Sequence, residues 1–325
     1  MSSWISPFEL KRRGILGMNR RNVSYISRYN DRRQFPLVDN KLKTKLVAEE
    51  AGLAVPKLID IVATQHEVES VEQNLKDLDS FVAKPAQGSG GKGILVVVGQ
   101  EDGQYRKASG DLISLAEVKR HLTNTLSGLH SLGGRNDVAF LETLVRVDPV
   151  FSSFSHEGVP DIRLIVFQGI PVMGMLRLAT RASDGKANLH QGAIGVGLDI
   201  ATGRGIQAVL HNKLVTHHPD TGADLSTLTV PSWPSLLRLA AECYEVTELG
   251  YLGCDIVIDR DRGPLILELN ARPGLSIQLA NNSGLLPRLQ RVEATKTKKM
   301  RIADRLQFAM ENFKHDDTWE TLPAF

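Results

Sequence analysis

Apolar residues recur at helical spacing along several parts of the chain. Residues 39–51 carry such a face, which predicts a helix with Asp39 as its N-cap and Gly52 just beyond its end. Residues 111–129 and 232–249 show the same periodicity and predict longer helices. A more polar helix is predicted to end at about Leu78, and the chain from Leu285 onward is predicted to be helical.

Short apolar runs bounded by glycine, proline or polar clusters predict the strands. They are residues 56–64, 81–85, 94–99, 137–145, 161–181, 206–210 and 253–270. The run 161–181 is predicted to form two strands joined by a tight turn at Gln168-Gly169, and 253–270 a hairpin. Residues 182–197 are predicted to be a long polar connection. This order predicts an α+β fold with two lobes that meet near Glu142.

In the last predicted hairpin, polar residues interrupt an apolar pattern. If the chain folds back at the polar cluster DRDRG, Asp259 lies opposite Pro264 and Asp255 opposite Glu268. Because side chains alternate along a strand, Glu268 and Asn270 project from one face about 7 Å apart, with a cross-strand neighbour about 5 Å away. Two carboxylates and an amide oxygen are therefore expected to converge.

These three side chains offer hard oxygen ligands, which suit Mg²⁺ better than zinc or copper. A protein that supplies only Asp255, Glu268 and Asn270 leaves positions for water and phosphate oxygens, so the set predicts a magnesium site that works with a nucleotide. The alternative is a surface hairpin with solvated acids and Asn270 capping a turn. The apolar residues on either side, such as Ile256 and Leu269, favour burial.

A glycine-rich loop follows the predicted strand that ends in Lys84. The stretch FVAKPAQGSGGKG offers a lysine and backbone N–H groups to phosphates. Its spacing is not that of a Walker sequence, and the loop leads into a strand instead of a helix. An ordinary β-hairpin turn is the alternative, and the magnesium hairpin favours the phosphate interpretation.

Composition adds limits on class and compartment. The chain has 325 residues, of which 42% are hydrophobic and 23% charged, as in soluble globular proteins. No apolar run has the length of a signal peptide or membrane helix, so a cytoplasmic protein is expected. Its two cysteines, Cys243 and Cys254, have no metal-ligand spacing and are expected to be buried thiols.

Charge is unevenly distributed. Residues 1–45 contain eleven Lys or Arg and three acids, a net +8, whereas the rest of the chain has 28 bases and 34 acids, a net −6. This basic arm could hold an acidic protein partner, or it could coat its own domain. The arm lacks regularly interleaved aromatic residues, so nucleic acid is not an expected partner.

The motifs together resemble a known family. The chain contains the motifs FVAKPAQGSGGKGI, DIRLIV, NLHQGA and DIVID…LILELNARPG in this order. With these motifs it is similar to the ATP-grasp carboxylate-amine ligases, in particular the RimK-type glutamate ligases. The resemblance spans about Asp39 to Leu286. It implies an ATP-grasp fold: a reduced basic segment (1–38), a lobe with a glycine-rich lid (39–141), a lobe with the metal hairpin (142–290) and a C-terminal helix and tail (291–325).

The resemblance also implies roles for particular residues. ATP would lie between the lobes, with Lys45 and Lys84 on its phosphates, although Lys41 and Lys43 compete for the role of Lys45. The implied lid is Gly88, Ser89, Gly90, Gly91, Lys92 and Gly93. The segment from Glu142 through Leu144 to Val145 would hold adenine, and Asp148 is a candidate for the ribose. Asp255, Glu268 and Asn270 would carry two Mg²⁺ ions, and Mn²⁺ would suit the same ligands.

On the acceptor side, Arg163 and Arg177 match arginines that meet the γ-phosphate or a substrate carboxylate. Asn188 and His190 belong to the loop beside the acceptor, and Arg272 is placed to steady a tetrahedral oxyanion. Structural alternatives remain for several of these residues. Lys45 could be a solvated helix lysine, and Arg163 and Arg177 could be charges at a strand edge. His190 could be a loop histidine without a chemical role, and Glu142 an acid at the end of a strand.

The chain departs from the RimK pattern in two ways. Only about 38 residues precede the region of resemblance, and Lys186 stands where those enzymes have an arginine, which alone can bind a carboxylate in a bidentate manner. Both departures concern the acceptor, so ATP use is implied more directly than glutamate.

The resulting hypothesis is an ATP- and Mg²⁺-dependent ligase that forms an amide from amino-acid or peptide substrates through an acyl phosphate. Its alternatives are a phosphotransferase on the same fold and a nucleotide-binding protein that docks through the basic arm. A homo-oligomer is also compatible with the short N-terminal region.

Overall fold

The computed structural model describes residues 6–88, 90–131 and 133–315, without the side chain of Lys298. It divides into two compact units. The six-stranded unit comprises Pro36–Glu50 and Val55–Arg146, and the seven-stranded unit comprises the described residues of Met1–Phe35, Ala51–Ala54 and Val147–Phe325.

Each unit contains one antiparallel sheet. The first has the order β1-β6-β2-β3-β4-β5 and the strands β1 Leu58–Val62, β2 Phe81–Pro85, β3 Leu95–Glu101, β4 Gln104–Lys107, β5 Leu112–Ile113 and β6 Ala139–Glu142. The second has the order β11-β10-β9-β8-β7-β12-β13 and the strands β7 Asp161–Phe167, β8 Ile170–Leu178, β9 Ile194–Leu198, β10 Gly205–Leu210, β11 Lys213–Val215, β12 Tyr251–Asp259 and β13 Gly263–Asn270. The sheets confirm the predicted α+β class.

The α-helices are mostly short. They are α1 Pro7–Arg12, α2 Met18–Arg20, α3 Ser27–Tyr29, α4 Pro36–Asp39, α5 Lys41–Glu50, α6 Gln65–Ser70, α7 Glu72–Leu75, α8 Leu115–Leu126, α9 Trp233–Thr247, α10 Ile277–Ala280, α11 Leu286–Glu293 and α12 Ile302–Asn312. A π-helical segment, Arg21–Ile26, joins α2 to α3, and single 3₁₀ turns occur at Arg32–Gln34, Pro149–Phe151, Arg181–Ser183, Leu189–Gln191, Leu225–Thr227 and Thr297–Lys299.

The core of the six-stranded unit lies between its sheet and the helices α6, α7 and α8. Leu75 of α7 and Leu122 of α8 belong to one buried cluster with Phe81 of β2 and Leu141 of β6. Lys84 is the fourth residue of β2, so the side of the sheet opposite Phe81 and Ala83 carries it.

The N-cap predicted for α5 was wrong. Asp39 ends the preceding helix α4, and α5 begins at Lys41. The Oδ1 atom of Asn40 accepts a hydrogen bond from the backbone N of Lys43 at 2.9 Å, which is the geometry of an N-cap. Asp39 and Asn40 could each have capped the helix. Because Asp39 belongs to the preceding helix α4, which begins at Pro36, Asn40 is the residue that caps α5.

The seven-stranded sheet has two unlike faces. The face that carries Leu164 and Cys254 packs on α9, since the Cys254 thiol lies 3.8 Å from the carbonyl oxygen of Ala240. Arg163 and Asp255 alternate with these residues along β7 and β12 and therefore project from the opposite face. Both cysteines are buried free thiols, as predicted.

One strand of this sheet falls inside the predicted connection 182–197. β9 alternates glycine with apolar residues, and a Cβ atom added at Gly197 would lie 2.2 Å from the carbonyl oxygen of Ala280. A Cβ at Gly195 would lie 2.9 Å from Cδ2 of Leu189. The glycines that suggested a loop instead allow α10 and the 3₁₀ turn at Leu189 to approach the sheet closely.

The register of the last hairpin was predicted correctly at the site and wrongly at the turn. Asp255 pairs with Glu268, but Asp259 pairs with Gly263 instead of Pro264. A bulge between Asp255 and Ile256 restores the predicted pairing by adding one residue to one strand.

The N-terminal basic segment is integrated into the seven-stranded unit. Asn30 exchanges two hydrogen bonds with the backbone of Tyr251, at 2.7 and 2.8 Å, at the start of β12. The ring of Tyr25 packs edge-on against Phe167 at 5.6 Å. Arg12 and Arg28 pair with Glu9 and Glu293 of the same unit. These contacts agree with the interpretation in which the basic residues coat their own domain.

Candidate active site

Strand pairing brings the predicted metal and acceptor residues to one face of the seven-stranded sheet. Glu268 on β13 pairs with Asp255 on β12, and Asp255 pairs with Arg163 on β7. On the next strand, Arg177 pairs with Asp161 of β7. Because directly paired residues point to the same side of a sheet, five charged side chains share this face.

Two arginines enclose the carboxylate of Asp255. Arg163 donates from Nε to Oδ1 at 2.7 Å and from Nη2 to Oδ2 at 2.5 Å, which is a bidentate pair. Arg177 donates from Nη2 to Oδ2 of Asp255 at 2.9 Å and also makes two close hydrogen bonds to Asp161. The four residues form one buried, hydrogen-bonded network whose formal charges cancel at neutral pH.

The two aspartates of this network respond differently to burial. Burial raises the pKa of Asp255, but the neighbouring Arg163 and Arg177 outweigh it and lower the pKa to about 2. In Asp161, burial is the larger effect and raises the pKa to about 6, against the opposing charge of Arg177. Asp255 is therefore the carboxylate that stays ionised, which a metal ligand requires.

The oxygen donors fit a hard cation. A carboxylate offers about four lone-pair sites, and the arginines occupy three of those on Asp255, so one remains. The Oδ1 atom of Asn270 accepts one hydrogen bond, from the backbone N of Arg272 at 2.8 Å, and keeps a second lone pair. Glu268 is half-buried opposite Asp255. Across the described residues there is no metal-binding cluster of three or more His, Cys, Asp or Glu side chains, and this set has two acids and one amide.

The remaining acceptor-side residues lie in the same unit. Arg272 is exposed, and its guanidinium stacks on the ring of Phe35 at 4.9 Å. The Oδ1 atom of Asn188 accepts from the backbone N of His190 at 3.0 Å and caps the 3₁₀ turn that follows. His190 is exposed, and Lys186 pairs with Asp184 at 3.1 Å.

In the six-stranded unit, two lysines converge on Glu142. Lys45 of α5 lies 2.8 Å from Oε2 of Glu142, and Lys84 of β2 contacts the other carboxylate oxygen. Lys45 is 5% exposed and also donates to the carbonyl oxygen of Pro56. Burial lowers the pKa of Lys45, and the charge of Glu142 opposes that change. The resemblance assigns Lys45 and Lys84 to phosphates and Glu142 to adenine. Both lysines thus contact the same carboxylate, that of Glu142.

The glycine-rich loop is anchored at both ends. Lys41 donates from Nζ to the carbonyl oxygen of Gly88 at 2.8 Å, and a ring nitrogen of His121 lies 3.0 Å from the carbonyl oxygen of Gly93. Gly90, Gly91 and Gly93 have φ angles of 62°, 77° and 74°, a region that favours glycine. Lys92 is exposed. The predicted contact at Ser89 lies outside the described residues.

The predicted adenine and ribose residues follow β6. Glu142 is the last residue of that strand, and Leu144 and Val145 are half-buried in the segment after it. Asp148 belongs to the seven-stranded unit, where its Oδ1 atom caps a 3₁₀ turn by accepting from the backbone N of Val150 at 2.9 Å.

Sequence reasoning missed Asp161 and Lys41 as partners of the site. Asp161 lies two residues before Arg163 in the motif DIRLIV, so strand alternation places both on one face. That spacing could have identified it. The resemblance offers Lys41 only as a rival of Lys45, and no sequence pattern shows that its side chain reaches the carbonyl oxygen of Gly88.

None of the helices in the described part of the chain is long and apolar enough to cross a membrane. No curated protein matches the chain in sequence.

Several solved structures of ATP-grasp enzymes are similar to this chain at low identity. The ATP-grasp ligase PsnB in complex with a minimal precursor has 13% identity and a TM-score of 0.45, over 82% of this chain and 63% of that chain. D-cycloserine synthetase DcsG has 14% identity and a TM-score of 0.46, over 80% and 71%. D-alanine–D-alanine ligase from Bacillus anthracis with ATP has 14% identity and a TM-score of 0.42, over 85% and 68%. This chain spans less than two thirds of the length of PsnB.

A sequence model of one family gives the assignment. The model described as sugar-transfer associated ATP-grasp matches residues 20–294, which include both sheets, the glycine-rich loop and the Asp255–Glu268 pair. Because the match covers most of the chain, the protein belongs to the sugar-transfer associated ATP-grasp family.

Proposed function

We propose that the protein is an ATP- and Mg²⁺-dependent ligase that joins a carboxylate to an amine. A carboxylate oxygen of one substrate attacks the γ-phosphorus of ATP, and ADP leaves, which gives an acyl phosphate. The amine nitrogen of the second substrate then attacks the acyl carbon, and inorganic phosphate leaves with the carboxylate oxygen. One proton from the amine passes to solvent or to a carboxylate.

The observation that carries this proposal is the buried arginine–aspartate network beside Glu268. Phosphoryl transfer needs charge neutralisation and positioning more than a protein nucleophile. Arg163 and Arg177 are largely buried guanidiniums held in fixed orientations by Asp255 and Asp161. N–H donors held in this way are suited to orient a transferring phosphoryl group or a substrate carboxylate.

Residue chemistry on the same sheet favours this type of reaction over covalent catalysis by the protein. Burial raises the pKa of the Cys254 thiol, and Cys254 points to the face covered by α9. Bound Mg²⁺ would supply Lewis-acid stabilisation of phosphate oxygens, and Asp255, Glu268 and Asn270 are the residues that would hold it.

The six-stranded unit supplies the other contacts in this proposal. Lys45 and Lys84 would bind ATP phosphates, and backbone N–H groups of the loop from Gly88 to Gly93 would cover them. The carboxylate of Glu142 lies between the ammonium groups of Lys45 and Lys84. Without this shared carboxylate, the two like charges would repel each other.

Isotope transfer tests the reaction directly. A ligase moves ¹⁸O from a labelled substrate carboxylate into inorganic phosphate, and it releases that phosphate only when ATP, a carboxylate and an amine are all present. The acceptor panel contains amino acids and peptides, with glutamate included because of the RimK resemblance. Phosphate retained on a hydroxyl, without ¹⁸O transfer, would establish a phosphotransferase instead.

Glu268→Gln tests the role of the metal hairpin. We expect at least about a 100-fold loss of turnover, equal to about 2.7 kcal/mol of transition-state stabilisation, because an amide binds Mg²⁺ less strongly than a carboxylate. The matched control is Glu311→Gln, at an exposed position of α12. Unchanged turnover in a folded Glu268→Gln protein would remove the metal assignment.

A further inference from the structure

A cavity of about 400 Å³ lies on the seven-stranded unit beside the turn that contains His190. Four polar side chains line it: His190, His211, Asn212 and Ser276. The rest of the lining is apolar and includes Val209 of β10 and Leu279 of α10. Its size is within the range of small-molecule sites. Apart from His190, no sequence pattern indicates these residues.

Strand register fixes where this cavity lies relative to the arginine network. Val209 pairs with Gly195 of β9, and Gly195 pairs with Arg177 of β8. Paired residues point to one face, so the floor of the cavity at Val209 shares a face with Arg177, two strands or about 10 Å away. Gly195 itself has no side chain, and the space above it is occupied by the side chains of Leu189 and Met175, whose atoms lie 2.9 and 3.0 Å from where its Cβ would be.

The lining is uncharged apart from its two imidazoles. None of the lining residues in the described part of the chain has a carboxylate, ammonium or guanidinium group. The polar groups that are present, imidazole, amide and hydroxyl, can donate and accept hydrogen bonds. Such a lining suits hydroxyl or amide groups on an otherwise neutral molecule, with the apolar floor packing on its carbon atoms.

We infer that this cavity binds the uncharged, hydroxyl- or amide-bearing body of the amine substrate. The inference rests on the proposed ligase function, because the arginine network about 10 Å away is where the carboxylate would react. A carboxylate in this cavity would find no ammonium or guanidinium partner among the lining residues. The side chain of glutamate is therefore disfavoured here, and glutamine or an amino sugar is favoured.

Binding is measured without ATP, so that it does not depend on turnover. The probes are glutamine and glucosamine, whose bodies are uncharged, and glutamate, which differs from glutamine by one charged group. Ring signals of His190 and His211 are followed by NMR at about pH 8, where free imidazole is neutral, and are assigned with His190→Gln and His211→Gln. We expect glutamine or glucosamine to shift both rings saturably at a concentration at least tenfold below that required by glutamate. The inference is overturned if glutamate is equally effective, or if none of the three shifts the rings.

A charge introduced into the cavity gives a second test. Leu279 lines the cavity and is 45% exposed, whereas Leu214 of β11 is 41% exposed and is not a lining residue. Leu279→Lys should improve the binding of glutamate relative to glutamine at least tenfold, and Leu214→Lys should leave the ratio unchanged. An unchanged ratio in Leu279→Lys would place the ligand elsewhere.

The two proposals can fail separately. Shifts of both rings by glutamine, without phosphate release from any carboxylate and amine, would keep the cavity assignment and reject the ligase. Phosphate release that prefers glutamate, with no ring shift, would keep the ligase and reject the cavity.

Discussion

Replacing Glu142 by glutamine would remove the carboxylate that the buried Lys45 shares with the half-buried Lys84. Lys45 and Glu142 are 5% and 3% exposed, and Lys84 contacts the same carboxylate. Glutamine keeps the volume of glutamate but not its charge. The substitution therefore isolates the electrostatic contribution within the six-stranded unit.

The expected loss follows from the burial of the lysines. Breaking a buried ion pair by removing one partner costs about 3–5 kcal/mol. The glutamine oxygen can still accept a hydrogen bond, and Lys45 keeps its bond to the carbonyl oxygen of Pro56. We therefore expect a decrease of about 3 kcal/mol in the free energy of unfolding, a large part of the 5–15 kcal/mol typical of a domain.

The pH dependence of this loss has a definite sign. Burial lowers the pKa of Lys45 from 10.5, and the charge of Glu142 raises it. Without Glu142, the folded-state pKa falls further below the unfolded one, so the unfolded chain binds more protons and stability increases with pH. The deficit of Glu142→Gln should therefore narrow as the pH approaches 10.5.

Urea unfolding at about pH 7 and about pH 9.5, combined with amide hydrogen exchange of β2 and β6, measures this effect in one unit. Glu50→Gln, at an exposed position of the same helix as Lys45, is the matched control and should change stability by less than about 0.5 kcal/mol. A loss below about 1 kcal/mol near pH 7 in Glu142→Gln, or a deficit that widens with pH, would refute the reasoning.

Two further substitutions test the packing of the seven-stranded unit. Gly197→Ala places Cβ 2.2 Å from the carbonyl oxygen of Ala280, so α10 must shift. We expect the free energy of unfolding, measured by thermal unfolding, to fall by about 1–3 kcal/mol. The control is Gly99→Ala, whose Cβ meets nothing within 4 Å. Burial and the hydrogen bond to Glu293 raise the pKa of Tyr29 to about 12. The protonated Tyr29 hydroxyl therefore stabilises the folded protein below pH 10, and this contribution is lost as the pH rises through 12. Tyr29→Phe should be about 1 kcal/mol less stable than the parent near pH 8, and the gap should close by about pH 12; a constant gap would contradict this.

The pairing of Asp255 with Glu268 could be predicted from sequence because its pattern is local. Alternation along β13 fixes Glu268 and Asn270 on one face, and the polar turn limits the register. The predicted register was offset by one residue at Asp259, and the bulge after Asp255 compensated for it. Bulges have no reliable sequence signal, so the agreement at Asp255 depended on a feature that could not be predicted.

The parts that escaped prediction depend on contacts between distant segments. The glycines of β9 are explained only by Ala280 and Leu189, which approach it from later and earlier in the chain. Likewise, the Lys45–Glu142 pair joins residues almost a hundred positions apart, and neither local pattern shows that one acid serves two lysines. Sequence periodicity identifies the elements, whereas such pairs follow from tertiary packing.

Charge balance on the sheet face restricts how a metal can bind there. Arg163 and Arg177 balance the formal charges of Asp161 and Asp255 at neutral pH, so this network offers an incoming cation no net negative charge. One divalent cation would make the face positive, and an anionic triphosphate would restore the balance. If the proposed function holds, Mg²⁺ should therefore bind weakly alone and strongly together with ATP, since a magnesium ion with few protein ligands takes others from phosphate. Tight binding of Mg²⁺ in calorimetry without nucleotide would contradict this reasoning, because the arginines already balance the charge of Asp255.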